Sequence, residues 1–193
     1  MEVGCASQFV RVTGRAQEKR IALVKKLLLM RHAKSSWEDP TLADHDRPLT
    51  ARGRKGAARM AKYMRDMGLA PSIVLCTSAV RARQTLDLIQ PVLPDSTTIK
   101  IEPKLYVAGS KELMTRIRRL SQAAPSVLIV GHNPAMQELV LALVSESPRS
   151  DAIRRKFPTA ALAVLDAPID EWRKLQPGQA VLADFVFPKG LRG

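Results

Sequence analysis

A chain of 193 residues that is 46% hydrophobic and 4% aromatic suits one α/β domain with a sizeable core better than two domains. Its formal net charge of +13 favours anionic partners, namely phosphorylated molecules, acidic protein surfaces or nucleic acid. Its two cysteines, Cys5 and Cys76, lack the paired spacing of a zinc site or disulfide framework, and no apolar stretch reaches the roughly 20 residues of a bilayer span, so a reducing, cytoplasmic setting with no metal, no cofactor and no membrane partner is expected.

The first 26 residues carry Arg11, Arg15, Lys19, Arg20, Lys25 and Lys26 against Glu2 and Glu18, without the apolar centre and cleavage site of a secretory signal. Residues 1–25 therefore read as a basic, disordered or loosely helical extension, and residues 26–193 as the folded domain. The apolar run Lys25 to His32 ends abruptly at Arg-His and reads as a buried strand delivering two polar side chains at its C-terminal end. Asp39 to Pro48 reads as a loop. Thr50 is a suitable N-cap for a helix from Ala51 to Met67, whose Ala57, Met60, Ala61 and Met64 share a face and which Gly68 closes. Pro71 to Ser78 contains a second strand, Ile-Val-Leu-Cys, followed by a helix from about Val80 to Leu93. Thr97 to Ile101 is a short third strand, Ser110 to Leu120 a helix, Ser126 to Val130 an apolar fourth strand, and Gly131-His132-Asn133-Pro134 leads into a helix ending near Val144. Two late strands, Ala160 to Leu165 and Val181 to Phe187, bracket a turn region at Trp172 to Gly178. Alternating βα units predict a three-layer α/β/α domain with a mostly parallel sheet, whose ligand site lies beyond the C-terminal strand ends.

Three strand ends carry polar groups that can face one crevice: Arg31-His32, Thr77-Ser78 with Arg81, and Gly131-His132. The chain has only three histidines, and two of them fall at these equivalent places; His45, in an acidic loop, reads as structural or rim. Arg47 offers a third guanidinium. Arginines converging on one point suit a phosphoryl group, because the planar donor fork pairs with two oxygens and keeps its charge. Neighbouring guanidinium charges also depress a histidine pKa, leaving a ring nitrogen free to attack phosphorus. His32 is thus the candidate nucleophile and His132 a second catalytic group, with Arg31, Arg81 and Arg47 as phosphate ligands. Each feature alone has a bland reading; Arg81, for instance, could pair with Asp87 or Glu138.

The segments Leu29-Met30-Arg31-His32-Ala33, Asp46-Arg47-Pro48-Leu49-Thr50 with Arg52-Gly53, Ser78-Ala79-Val80-Arg81-Ala82-Arg83-Gln84-Thr85, Leu105-Tyr106 and Val130-Gly131-His132-Asn133-Pro134 together resemble the histidine phosphatase superfamily, and within it the compact SixA-type phosphohistidine phosphatases. The resemblance runs from about Lys26 to Leu191. It implies a phosphoglycerate-mutase-like fold, a nucleophilic His32, phosphate contacts from Arg31, Arg81 and His132, and a further contact from Arg47. Ala33 replaces the family's common glycine and Glu38 a common asparagine, while Glu102 and Glu112 are the nearby candidates for its acid. The expected activity is metal-independent hydrolysis of phosphohistidine on a protein such as a phosphotransfer domain. A phosphatase of small phosphomonoesters and a non-catalytic basic binding protein are the competing readings. Basic residues scattered along the chain without interleaved aromatics disfavour nucleic acid as the partner.

Overall fold

A computed structural model describes residues 24–191; the expected basic extension lies outside the described residues except for its last two positions. Eleven regular elements follow one another as β1 (Lys25–Arg31), α1 (Ala51–Asp66), β2 (Ile73–Cys76), α2 (Val80–Ile89), β3 (Thr98–Ile101), α3 (Ser110–Arg118), β4 (Ser126–Gly131), α4 (Ala135–Leu143), α5 (Pro148–Arg155), β5 (Leu162–Ala167) and β6 (Val181–Val186). The sheet order is β3-β2-β4-β1-β5-β6, parallel across its first four strands and antiparallel where β5 joins β1 and β6 joins β5.

β4 is buried at all six positions, and β1 from Leu27 to Met30, because helices cover both faces of the sheet; a strand covered on both faces needs a continuous apolar run. Alternation then divides the core. Leu27 and Leu29 join α3, α4 and Ile153 of α5 on one face, while Leu28 and Met30 meet Ala57, Met60 and Met64 of α1 and Leu86 and Ile89 of α2 on the other. α1 starts where Thr50 Oγ1 accepts the Gly53 N–H at 2.9 Å and is followed by Gly68 at φ +61°.

Two features differ from the sequence expectation. The expected helix to Leu93 yields at Ile89 to a single 3-10 turn, Gln90–Val92, because Pro91 has no N–H to donate and its ring crowds the preceding turn. α5 has only faint sequence signals: of its eight residues only Ser150 and Ile153 are buried, and its capping box pairs Ser147 with Ser150 rather than with the usual Glu or Gln.

What positions the site is the register. Arg31 lies opposite Gly131, and Cys76 opposite Val130, so β1, β4 and β2 terminate side by side at one edge of the sheet. His32, His132 and Thr77 are the next residues of those three strands.

Candidate active site

The backbone of His32 is fixed from three sides. Its N–H donates to Gly131 O at 2.9 Å, continuing the β1–β4 ladder. The Ala160 N–H reaches both Arg31 O and His32 O at 3.1 Å, from a turn in which Ala160 takes φ +59°. A left-handed alanine costs about 1–2 kcal/mol, so the packed surroundings hold that turn in place. The Ala33 N–H donates to Thr85 Oγ1 at 3.0 Å, and the same hydroxyl donates to Arg81 O at 2.7 Å, tying the end of β1 to α2.

The ring of His32 has a defined tautomer. Nδ1 lies 2.7 Å from Ala33 O, and a carbonyl can only accept, so Nδ1 carries the proton and Nε2 keeps its lone pair. Arg81 Nε–H points at that lone pair from 3.3 Å. Burial lowers the His32 pKa to about 3; the bond to Ala33 O opposes the shift, while His132, Arg81 and Arg31 add to it. The ring is therefore neutral at physiological pH.

His132 mirrors this arrangement, with its ring centroid 5.0 Å from that of His32. A guanidinium can only donate, so Arg81 Nη2 at 3.4 Å marks His132 Nδ1 as the acceptor, and Nε2–H donates to Thr77 Oγ1 at 2.8 Å. Burial, then Arg81, lowers its pKa to about 4 against the opposing pull of Asp44. Arg31 donates from Nη1 to Phe157 O at 2.7 Å, its Nε is buried without a partner, and its charge bears on both histidines.

Arg81, in the first turn of α2, is buried and pairs with neither Asp87 nor Glu138. Its guanidinium grips Asp44, donating from Nη1 to the backbone carbonyl and from Nη2 to Oδ2 at 2.8 Å. Asp44 Oδ2 also accepts from the Tyr106 hydroxyl at 2.7 Å, and Oδ1 from Arg47 Nη1 at 2.6 Å. Tyr106 first, then Arg81 and Arg47, hold the Asp44 pKa down to about 2. Asp44 is thus a fixed carboxylate at the mouth of the pocket. Sequence reasoning passed over it as loop; the clue was three aspartates, at 39, 44 and 46, gathered beside Arg47 in a strongly basic chain.

The structure brings His32, Arg81, His132 and Arg31 together and sets Arg47 behind them. Besides Asp44, Arg47 donates to Ser36 O at 2.8 Å and Ser35 Oγ at 2.9 Å, and its guanidinium stacks 3.1 Å from the Trp37 ring centroid. Its three nitrogens are turned to protein groups. His45 lies on the rim, between Asp46 Oδ1 at 2.8 Å and Ser78 Oγ at 2.9 Å. Glu102 is held by Arg116 in a bidentate pair at 2.8 and 2.6 Å, and Glu112 lies in the first turn of α3; neither is bonded to His32, Arg81 or His132. Among the described residues, no three His, Cys, Asp or Glu side chains are placed to share a metal ion, and no helix is long and apolar enough to cross a membrane.

A profile of the histidine phosphatase superfamily, branch 1, matches residues 27–106. The protein Rv1276c of Mycobacterium tuberculosis H37Rv is 35% identical over 164 residues, which span 83% of this chain and 100% of that protein. The phosphohistidine phosphatase SixA of Escherichia coli K12 is 26% identical over 141 residues, 72% of this chain and 83% of the relative. Among solved structures, one assigned as the phosphohistidine phosphatase SixA of Nakamurella multipartitia superposes with a TM-score of 0.75 at 29% identity, covering 84% of this chain and 95% of the other. With the strand-end histidines and arginines in one pocket and a relative matched along its whole length, the chain belongs to the histidine phosphatase superfamily.

Proposed function

We propose that the protein removes the phosphoryl group from phosphohistidine carried on another protein, with His32 as nucleophile. The observation that carries this reading is the bond from His32 Nδ1–H to Ala33 O, which leaves Nε2 unprotonated and aimed into a pocket ringed by Arg81, Arg31 and His132. A phosphoryl group entering that pocket takes the Arg81 Nε–H, which in the free protein rests on Nε2. Arg31, whose Nε has no protein partner, donates to its equatorial oxygens, and His132 does so from Nδ1 once it takes up a proton there, a step the incoming anion favours. Nε2 attacks phosphorus in line; the Nε2–P bond forms as the bond from phosphorus to the substrate nitrogen breaks. Water then attacks the phosphorylated His32, releasing inorganic phosphate and restoring the lone pair on Nε2.

The leaving group decides between substrates. An alkoxide needs a proton as it departs, whereas an imidazole leaves as a neutral ring when its second nitrogen already carries one. The carboxylate nearest the reacting atoms, Asp44, has its pKa held near 2 and has no proton to give at neutral pH. That favours a phosphoramidate over an alkyl phosphate ester. Between Arg81 and His132 the chain runs through α2, β3, α3 and β4 with no long insertion to fold over the pocket as a lid, which suits a protein-borne group.

The test is phosphate release, without added metal, from a histidine-phosphorylated phosphotransfer domain and from an alkyl phosphomonoester such as glycerol 3-phosphate. Fast release from the domain, abolished in His32→Ala, is the expected result. Preference for the ester assigns the protein to small phosphomonoesters. Release from both substrates that survives His32→Ala overturns the mechanism.

A further inference from the structure

A groove of about 850 Å³ runs from Arg31 across the N-terminal half of α1 to the turns around Pro158 and Pro188. Eight Lys and Arg side chains line it, and no Asp or Glu. Of the 18 described Lys and Arg residues outside the groove, nine lie within 4.0 Å of a carboxylate, as in Lys26–Asp166, Lys62–Asp66, Arg116–Glu102 and Lys174–Asp170. Among the described residues, none of the eight groove bases lies within 4.0 Å of a carboxylate. Bases crowded without counter-ions repel one another, and an anionic partner relieves that cost.

We infer that this groove docks an acidic face of the protein whose phosphohistidine enters the His32 pocket. The inference rests on the reading of that pocket given above, and three observations direct it. First, the groove and the pocket share Arg31, whose charge bears on both histidines and whose Nε is buried without a partner. A partner lying in the groove therefore presents its phosphoryl group beside His32. Second, the volume is several times that of a phosphate ion, and the floor is apolar, built from Pro158, Pro188, Phe185 and Phe187. A small polyanion has no use for such a floor, whereas an amphipathic protein surface covers it while its carboxylates meet the basic walls. Third, the two phenylalanines are half-buried. Phe185 packs against Phe157 at 5.2 Å and Phe187 against Phe185 at 6.0 Å between centroids, so they form packed floor rather than free platforms for stacking nucleobases.

Lys55 and Arg59 are exposed on α1, away from the groups that surround His32, which makes Lys55→Glu with Arg59→Glu the informative double variant. Two readouts separate docking from chemistry. Binding of an unphosphorylated, acidic phosphotransfer domain, followed by fluorescence anisotropy, needs no catalysis; it is expected to weaken on the order of tenfold in the double variant and to weaken with salt in the wild type. With the phosphorylated domain as substrate, KM rises by a similar factor at unchanged kcat, while hydrolysis of free phosphoramidate is unaltered, which also shows that the variant is folded. Loss of catalysis in His32→Ala with binding intact keeps the two readings apart. Wild type failing to bind the domain, equal binding by wild type and variant, or an equal loss on phosphoramidate overturns the docking site. So does an RNA oligonucleotide that displaces the domain and is itself lost in the variant, which would make the groove a nucleic-acid site.

Discussion

Asp44 is the residue on which the pocket's geometry turns. An acid at the mouth of a phosphate pocket opposes the binding of a dianion, yet this carboxylate accepts from Tyr106, Arg81 and Arg47 at once. Its effect is directional: by gripping the outer edge of the Arg81 guanidinium, it leaves Nε–H as the edge facing His32 Nε2. Asp44 is therefore a positioning residue that acts through Arg81. Hydrogen bonds to charged groups contribute roughly 1.5–3 kcal/mol, so Asp44→Ala should lower kcat by roughly ten- to a hundredfold. The same change frees two guanidinium nitrogens for anions and removes a negative charge, so inhibition by inorganic phosphate should become stronger. Steady-state kinetics with phosphate as inhibitor reads both effects. A fall in turnover accompanied by weaker phosphate inhibition would mean that Asp44 merely supports the loop.

At the scale of elements, the site depends on how closely α1 approaches the segment that follows β1. The Lys34 carbonyl, two residues beyond His32, accepts from Thr50 N at 2.9 Å and Thr50 Oγ1 at 3.2 Å, and a Cβ on Gly53 would fall 2.1 Å from that oxygen. Helix propensity alone makes Gly→Ala in a helix favourable by roughly 0.5–1 kcal/mol. Here the obstructing atom is backbone and cannot swing aside, so Gly53→Ala should destabilise by about 1–3 kcal/mol and push the His32–Lys34 segment out of place. Urea unfolding together with kcat measures this; unchanged or increased stability would show that α1 shifts freely. The contrast shows what a sequence exposes. β1, β2 and β4 were legible because strands covered on both faces must be apolar runs, and His32, Arg81 and His132 because they follow the ends of such runs. Local patterns also carried α1, with its Thr50 cap and one apolar face. Contacts made through space were not legible: the grip of Arg81 on Asp44, the stacking that turns Arg47 toward Trp37, and the backbone approach at Gly53 depend on a loop conformation that no periodicity encodes. α5 was hidden for a different reason, since only two of its side chains are buried.

For the whole molecule, the pocket makes stability depend on pH. His32 and His132 have pKa values lowered to about 3 and about 4, mainly by burial, whereas in the unfolded chain each titrates near its ordinary value of 6.5. Between those limits the unfolded chain binds more protons than the folded one, so folding stability rises with pH. The stabilisation that comes from keeping both rings neutral is fully present above about pH 6.5 and is lost progressively as the pH falls toward 3–4, at up to about 1.4 kcal/mol per pH unit for each ring. From near neutrality to about pH 5, the pair together should cost on the order of 3 kcal/mol. His32→Gln keeps a polar side chain of similar length but cannot titrate, so its stability should fall with pH about half as steeply. Urea unfolding across this range, on wild type and variant, gives the two slopes. Parallel slopes would mean that His32 takes up its proton in the folded protein as readily as in the unfolded chain; Nε2 would then lose its lone pair to a proton below about pH 6.5 instead of keeping it down to about pH 3.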